Sequence, residues 1–348
     1  MAARKRLFET TPVAEEAVAA VLARHWPGIT IVRLLKASQN HTYEAHRAAT
    51  GERFAVRATP DPAGAELRRI QDELTLVRYL DTVARLDGVC GPVPPATNPA
   101  PADGGGCAVH ESGLTVCVSR WAATGAAPDF AAYQWLGDAQ LIRTWGAWLA
   151  RLHAATRAYA ADPAYAAAAA RLQRWDQVHD GTTADGADEL LTAEDRAAEA
   201  DPARFGVLHG DCNISNIFYE PPAPEAATSA AAARGRLWVF DWDQAQRGWF
   251  ELDLAQTSLT ATMLAEGGAV PDGRPVPEAD PAAFQRWLLE GYEEVAGAGA
   301  VDRARFARML ALRKRFYGAF ARRARAEGDL PPGMAGFLDY VERWTQQP

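Results

Sequence analysis

The chain has 348 residues, 48% of them hydrophobic, and a formal net charge of -8. That length favours two domains over one small core, and that apolar content excludes a chain that is disordered throughout. The acid surplus argues against general nucleic-acid binding, no apolar run of about 18 residues exists to cross a membrane, and no apolar stretch follows the basic start to make a secretory signal, so a soluble cytoplasmic protein is expected.

From Pro12 to His25, residues Val13, Ala17, Val18, Val21 and Leu22 recur at helical spacing. Ile29 to Leu35 is β-branched and apolar and reads as a strand. The polar stretch Lys36 to Thr42 turns it back into Tyr43 to His46, a hairpin, and Gly51 marks the next turn before a third strand, Glu52 to Arg57. Gly64 to Leu80 lines up Leu67, Ile70, Leu74, Val77 and Leu80 on one helix face and carries Glu66, Asp72 and Glu73. Gly91 to Gly106 is too rich in turn residues for a helix or strand. Leu114 to Trp121 alternates as a strand does and leads into a linker near Gly125.

One long helix is expected from Tyr133 to Tyr159. Leu136, Leu141, Trp145, Trp148, Leu149 and Leu152 form its buried side, with His153 as a packed, satisfied residue. Asp162 to Ala200 is alanine-rich and helical, broken at Asp180 to Thr183. The segment 220–236 is low in complexity and is expected to be a mobile, disordered hairpin insert. Pro281 to Val295, Val301 to Arg325 and Pro332 to Gln346 read as closing helices. The middle one carries Arg303, Arg305, Arg308, Arg313, Lys314, Arg315, Arg322, Arg323 and Arg325, expected to form a solvated face. Cys90, Cys107, Cys117 and Cys212 lack paired metal or redox spacing and are expected as reduced thiols, with Cys212 a candidate for thiol reagents.

The chemistry concentrates in Val207 to Asn216, Val-Leu-His-Gly-Asp-Cys-Asn-Ile-Ser-Asn. An apolar pair leads into His209-Gly210-Asp211, and Asn216 follows five residues after Asp211, ahead of the apolar run Ile217-Phe218-Tyr219. A carboxylate and an amide so spaced on one loop can face one pocket. Leu237 to Phe240 is another apolar run, and it ends at Asp241-Trp242-Asp243, which puts a carboxylate at a strand tip where loops build sites. His-x-Asp-x4-Asn followed by a strand and an Asp is the parts list of phosphoryl transfer in kinases.

In these residues, and in Trp249 to Ala255, the chain resembles the aminoglycoside phosphotransferase and kinase-like family of small-molecule phosphotransferases, with homoserine-kinase-type and stress-response kinase relatives. The resemblance implies an α+β, two-lobed protein-kinase-like fold. Its N-lobe, 1–119, would be a small antiparallel sheet that binds nucleotide. Its C-lobe, 120–348, would be mainly helical and hold catalysis and the substrate. Asp211 would act as the base toward the attacking hydroxyl, and Asn216 and Asp241 would hold Mg2+. Arg57 would grip nucleotide phosphates where kinases use Lys, paired with Glu73, for which Asp72 and Glu66 are rivals. A solvent-facing Arg57 is the plain alternative. Ser38 and Asn40 would touch phosphate from a glycine-free turn, or form an ordinary hairpin loop. Ser119 to Trp121 would meet the adenine edge, with a core role for Trp121 equally open. His209 would brace the loop, Asp253 would bond the loop backbone, and Asp243 would either face metal, water or substrate, or cap a turn.

The expected activity is transfer of the ATP γ-phosphate to a hydroxyl of a small molecule such as an antibiotic, amino alcohol, nucleoside or natural-product intermediate. ATP is the co-substrate, with GTP open, and Mg2+ the cofactor. No nucleic-acid or membrane partner is expected, and the oligomeric state is left open. The rival readings are a Ser/Thr protein kinase of the stress-response type, a non-catalytic nucleotide-binding regulator, and a metallohydrolase using His209, Asp211, Asp241 and Asp243.

Overall fold

The computed structural model describes residues 10–97, 106–122, 126–128, 133–177, 187–222, 235–267, 280–328, 330–331 and 334–346. The chain divides into two compact units. One comprises Met1–Arg85, Val89–Ala123 and Ala161–Leu172, and the other Leu86–Gly88, Thr124–Ala160 and Gln173–Pro348.

The first unit opens with α1 (Glu15–His25), then β1 (Ile29–Ala37), β2 (His41–Arg47), β3 (Arg53–Pro60), α2 (Leu67–Thr82), β4 (Ala108–Glu111) and β5 (Leu114–Arg120). The strands form one antiparallel sheet in the order β1-β2-β3-β5-β4. Side chains alternate between the faces of a strand, and this alternation makes two cores. Phe54, Val56 and Ala58 of β3 join Leu114, Val116 and Val118 of β5 against Val18, Val21 and Leu22 of α1. Cys117 points the other way and packs with Cys107, Ala108 and with Ile70 and Leu74 of α2. β3 runs past Arg57 to Pro60, so Arg57 is a mid-strand residue and not the strand's end. Because Arg57 stands directly opposite Cys117, it shares the face that α2 covers. β4 was not expected: it is only four residues long and follows a turn-rich stretch.

In the second unit, the helix expected from Tyr133 to Tyr159 is interrupted. Tyr133 has φ +54°, a 3-10 turn spans Gln134–Gly137, and α3 is Ala139–Ala161. The break is written in Gly137-Asp138, where the Asp138 carboxylate accepts the Leu141 N–H at 2.9 Å as a helix cap. The chain returns to the first unit for α4 (Ala166–Arg171), where Arg171 forks onto Asp72 of α2 at 2.6 to 3.1 Å.

Two short helices, α5 (Ala187–Leu190) and α6 (Ala193–Ala198), precede β6 (Phe205–Leu208). Then come β7 (Ile217–Glu220), β8 (Arg236–Val239) and β9 (Gln246–Trp249). β6 pairs with β9, and β7 pairs with β8 from Ile217↔Val239 to Glu220↔Arg236. The segment 220–236 therefore connects a hairpin, though most of it lies outside the described residues. Four helices follow: α7 (Phe250–Gly267), α8 (Pro281–Ala296), α9 (Arg303–Glu327) and α10 (Met334–Gln346). α3 and α8 approach so closely at Gly146 that a Cβ there would lie 2.0 Å from the Leu288 carbonyl oxygen. Among the described residues, no helix is long and apolar enough to cross a membrane.

The basic stripe of α9 is only in part the solvated face expected: Arg303, Arg322 and Arg325 are exposed, but two of its arginines are internal. Arg305 and Arg313 are only 1% and 3% exposed. Arg305 donates to Asp195 at 2.9 Å and lies 3.4 Å from Glu251, and Arg308 adds two 2.7 Å bonds to Asp195. Charges this deep persist only when paired. Asp302, three residues away, lies 3.5 Å from Arg305, but Asp195 and Glu251 come from segments more than fifty residues away, out of reach of helix-periodicity reasoning.

Candidate active site

In the second unit, β6 delivers the chain into the loop that begins at His209. Gly210 has φ +83°, and a Cβ on it would stand 2.1 Å from the Gln244 carbonyl oxygen. Only glycine fits there, so this residue is a steric requirement of the loop. His209 is fully buried and packs on the Trp242 ring at 4.5 Å. Its Nδ1 accepts the Asp211 N–H at 3.3 Å, which leaves Nε2 to donate to the Phe240 carbonyl at 3.2 Å. Burial lowers its pKa and keeps it neutral. One ring nitrogen holds the loop's own backbone and the other ties it to Phe240 just past β8, so His209 braces the loop.

Asp211 is half-buried. Its Oδ1 accepts from Asn213 Nδ2 at 2.8 Å and from Gln256 Nε2 at 2.9 Å, and its Oδ2 accepts from Asn216 Nδ2 at 3.1 Å. Burial pushes its pKa up, against the pull of the Asn213 amide and the Arg313 guanidinium. Three amides thus fix the plane of a carboxylate whose basicity is raised.

The loop is gripped from below by one face of α7. Asp253, Gln256 and Thr257 stand at i, i+3 and i+4, which places them on the same side of the helix. Asp253 accepts the His209 N–H through Oδ2 and the Gly210 N–H through Oδ1, both at 2.8 Å. Gln256 holds the Asp211 side chain, and Thr257 donates to the Cys212 carbonyl at 2.8 Å. From α9, Arg313 donates to the Gly210 carbonyl at 2.8 Å.

His153 of α3 stands 3.3 Å from Asp253 Oδ2 through Nε2, and its Nδ1 accepts from the Tyr292 hydroxyl at 3.0 Å. Burial lowers the His153 pKa, so it is a neutral, fully bonded core residue as the sequence suggested. Burial opposes ionisation of Asp253, but the His153 bond and the loop N–H donors hold its pKa below the usual carboxylate value. Cys212 is corrected by the structure: it is fully buried, accepts from Trp145 Nε1 at 3.1 Å, and burial drives its pKa well up, so thiol reagents do not reach it.

Asn216 ends the same loop. Its Nδ2 is committed to the carbonyl of Asp211 at 2.9 Å and to Oδ2, so its Oδ1 faces the other way, with the Ser215 hydroxyl at 3.5 Å. An amide binds a cation through that oxygen. The Asn216 carbonyl accepts the Phe240 N–H at 3.1 Å, which brings Asn216 beside the end of β8, where Asp241 follows. Asp241 is exposed and held at φ +65°. A non-glycine residue in this region is an outlier of the kind that clusters at functional sites. One amide oxygen and one carboxylate suit Mg2+, which keeps several waters and takes few protein ligands beside phosphate. Among the described residues, no group of three or more His, Cys, Asp or Glu is gathered as a metal site. Asp243 is half-buried and close enough to add to the negative field at Asp211.

The expected nucleotide residues lie in the first unit. Arg57 Nη2 and Glu73 Oε2 are 2.9 Å apart, with side chains 15% and 6% exposed. Asp72 faces Arg171 and Arg68 instead, and Glu66 faces Arg69. The structure therefore selects Glu73 from the three acids, and the solvent-facing alternative for Arg57 does not hold.

In the β1–β2 turn, Ser38 bonds the Asn40 carbonyl through its N–H at 3.0 Å and its hydroxyl at 3.3 Å, and Asn40 Oδ1 accepts from Thr59 at 2.9 Å. These bonds stiffen a turn that has no glycine. Ser119 sits in β5 opposite Ala55, the Arg120 N–H donates to Gly91 O, and the Trp121 N–H donates to Arg53 O at 3.2 Å. The Trp121 ring is half-exposed beneath the Arg53 guanidinium at 4.2 Å, not a core aromatic. Sequence reasoning missed Gln256, Thr257 and Arg313. For the first two the signal was present in the spacing from Asp253, and for Arg313 there was none.

No protein-family model matches the chain, and no curated protein is similar to it in sequence. Solved structures do match it. An aminoglycoside phosphotransferase from Alicyclobacillus acidocaldarius aligns at a TM-score of 0.56 and 16% identity, covering 97% of this chain and 95% of the other. Plasmodium vivax ethanolamine kinase aligns at 0.50 and 9% identity, covering 93% and 89%. Choline kinase from Cryptosporidium parvum aligns at 0.50 and 10% identity, covering 95% and 93%. At these identities the likeness is one of fold, and the five-stranded antiparallel sheet with its mainly helical second part is the kinase-like α+β fold that the sequence motifs led us to expect.

Proposed function

We propose that this protein transfers the γ-phosphoryl group of ATP to a hydroxyl of a small molecule. The observation that carries this reading is the loop itself: a half-buried carboxylate whose plane is locked by three amides, beside an amide oxygen and an exposed carboxylate suited to Mg2+. Asp211 orients the acceptor hydroxyl and takes its proton as the oxygen bonds to phosphorus and the bond to the departing ADP oxygen breaks. Asn216 Oδ1 and Asp241 hold Mg2+, which when bound offsets charge on the phosphate oxygens. Arg57, pinned by Glu73, presents its guanidinium to the nucleotide phosphates, and the Ser38–Asn40 turn offers them its polar groups. Ser119 and Trp121 flank the adenine through side chains, because the N–H groups of Arg120 and Trp121 are engaged within the first unit.

The solved neighbours, named for aminoglycoside, ethanolamine and choline, support a small acceptor over a protein one. ATP consumption measured against a panel of hydroxylated metabolites and antibiotics tests the reading. Turnover with at least one acceptor is expected, and Asp211→Asn is expected to lower kcat by about 100-fold with ATP affinity kept. ATP binding without turnover on any acceptor or on water would leave only a nucleotide-binding regulator.

A further inference from the structure

We propose that Gln256 is a positioning residue that selects which oxygen of Asp211 does the chemistry. This rests on the reading of Asp211 as the base. A carboxylate oxygen offers two in-plane lone pairs. Oδ1 already receives two donors, Asn213 Nδ2 at 2.8 Å and Gln256 Nε2 at 2.9 Å. Oδ2 receives one, Asn216 Nδ2 at 3.1 Å. Oδ1 is therefore saturated, and Oδ2, on the Asn216 side of the carboxylate, keeps the lone pair that meets the acceptor hydroxyl.

Gln256 is the decisive donor of the three. Asn213 and Asn216 belong to the loop and move with it. Gln256 comes from α7, is 3% exposed, and stands one turn from Asp253, which fixes the backbone of the same loop. The orientation of its amide follows from its neighbour. Turned over, it would set its oxygen against Asp211 Oδ1, two acceptors in a buried place. Half-buried Tyr317 of α9 lies within hydrogen-bonding reach of the Gln256 side chain. With the amide gone, Oδ1 regains a lone pair and the carboxylate can rotate, so two oxygens compete for one proton in two geometries.

Gln256→Met keeps length and packing and removes the donor. Relative to the wild type, with MgATP and whichever acceptor turns over (or water), kcat of the variant is expected to be about 10- to 50-fold lower while the Michaelis constant for ATP stays within about twofold. The same substitution on an Asp211→Asn background is expected to cause no further loss, since the two act as one unit. Crystal structures of the wild type and of Gln256→Met are expected to show the Asp211 carboxylate rotated in the variant. Gln256→Asn, too short to reach, serves as the second variant if the Met form does not fold.

An unchanged kcat, a loss confined to the Michaelis constant, full additivity, or an Asp211 carboxylate that keeps its orientation would each overturn the proposal. If the wild type turns over no ATP, the phosphotransfer reading fails separately, and the two crystal structures still decide whether Gln256 sets the orientation of Asp211.

Discussion

Asp253 makes no contact with any reacting group, yet the arrangement of the loop runs through it. Asp253→Asn keeps the shape and removes one acceptor. The wild-type carboxylate takes the His209 N–H on Oδ2 and the Gly210 N–H on Oδ1, both at 2.8 Å, with His153 Nε2 3.3 Å from Oδ2. An amide satisfies only one side. With its oxygen toward His209 and His153, its NH2 faces the Gly210 N–H, and two donors confront each other at a fully buried site. Losing a charge-assisted bond costs about 1.5–3 kcal/mol and stranding a buried donor about 1–3 kcal/mol. Relief from burying a full charge offsets part of this. The net expectation is about 3 kcal/mol of lost stability, read as a lower midpoint in urea at unchanged m-value. Because the freed backbone is that of His209 and Gly210, kcat is expected to fall with it, more than the Michaelis constant for ATP rises. A stability loss below about 1 kcal/mol, or a destabilised variant with wild-type kcat, would refute the role assigned to Asp253.

Arg57→Ala is expected to raise the Michaelis constant for ATP and lower kcat/KM by about 30-fold or more, with Arg57→Lys recovering part of the loss; Glu73→Ala is expected to do less, and the double mutant to show non-additive losses in steady-state kinetics. Asp241→Ala is expected to abolish Mg2+-dependent ATP binding in calorimetry, and Asp241→Gly to do the same while being more stable to unfolding than Ala by about 1 kcal/mol, because φ +65° is strained for any residue with a Cβ. Asp195 is depressed below its ordinary pKa because the Arg308, Thr192 and Arg305 bonds outweigh the opposing effect of burial. Its stabilisation is therefore present above about pH 4 and lost as pH falls toward its folded value; Asp195→Asn is expected to lower the melting temperature at pH 7 and flatten its decline below about pH 4.

How far the sequence could carry these conclusions depends on where each interaction keeps its information. Period-2 alternation in β3 and helical spacing in α2 are local, so both elements were legible, whereas the Arg57–Glu73 pair was expected only from the family resemblance, with Asp72 and Glu66 as rivals; the chain order of Asp211, Asn216 and Asp241 was readable because one loop and one hairpin carry all three. Arg313 and Arg305 were misjudged for the opposite reason. Along α9 they look like any solvated arginines, and what makes them internal is Gly210 and Asp195, which lie 103 and 110 residues away in sequence. Gln256 falls between these cases. Its partner is distant, but its helix position is not: once Asp253 is assigned to the loop backbone, the residue three later must face the loop as well. The same inference extends to Thr257, whose hydroxyl reaches the Cys212 carbonyl. One helix face thus reads the loop in order, from the backbone of His209 and Gly210 through the side chain of Asp211 to the carbonyl of Cys212. A loop held residue by residue against a rigid helix is preorganised before any substrate arrives, which is the condition under which a single carboxylate can act as a base in a fixed direction.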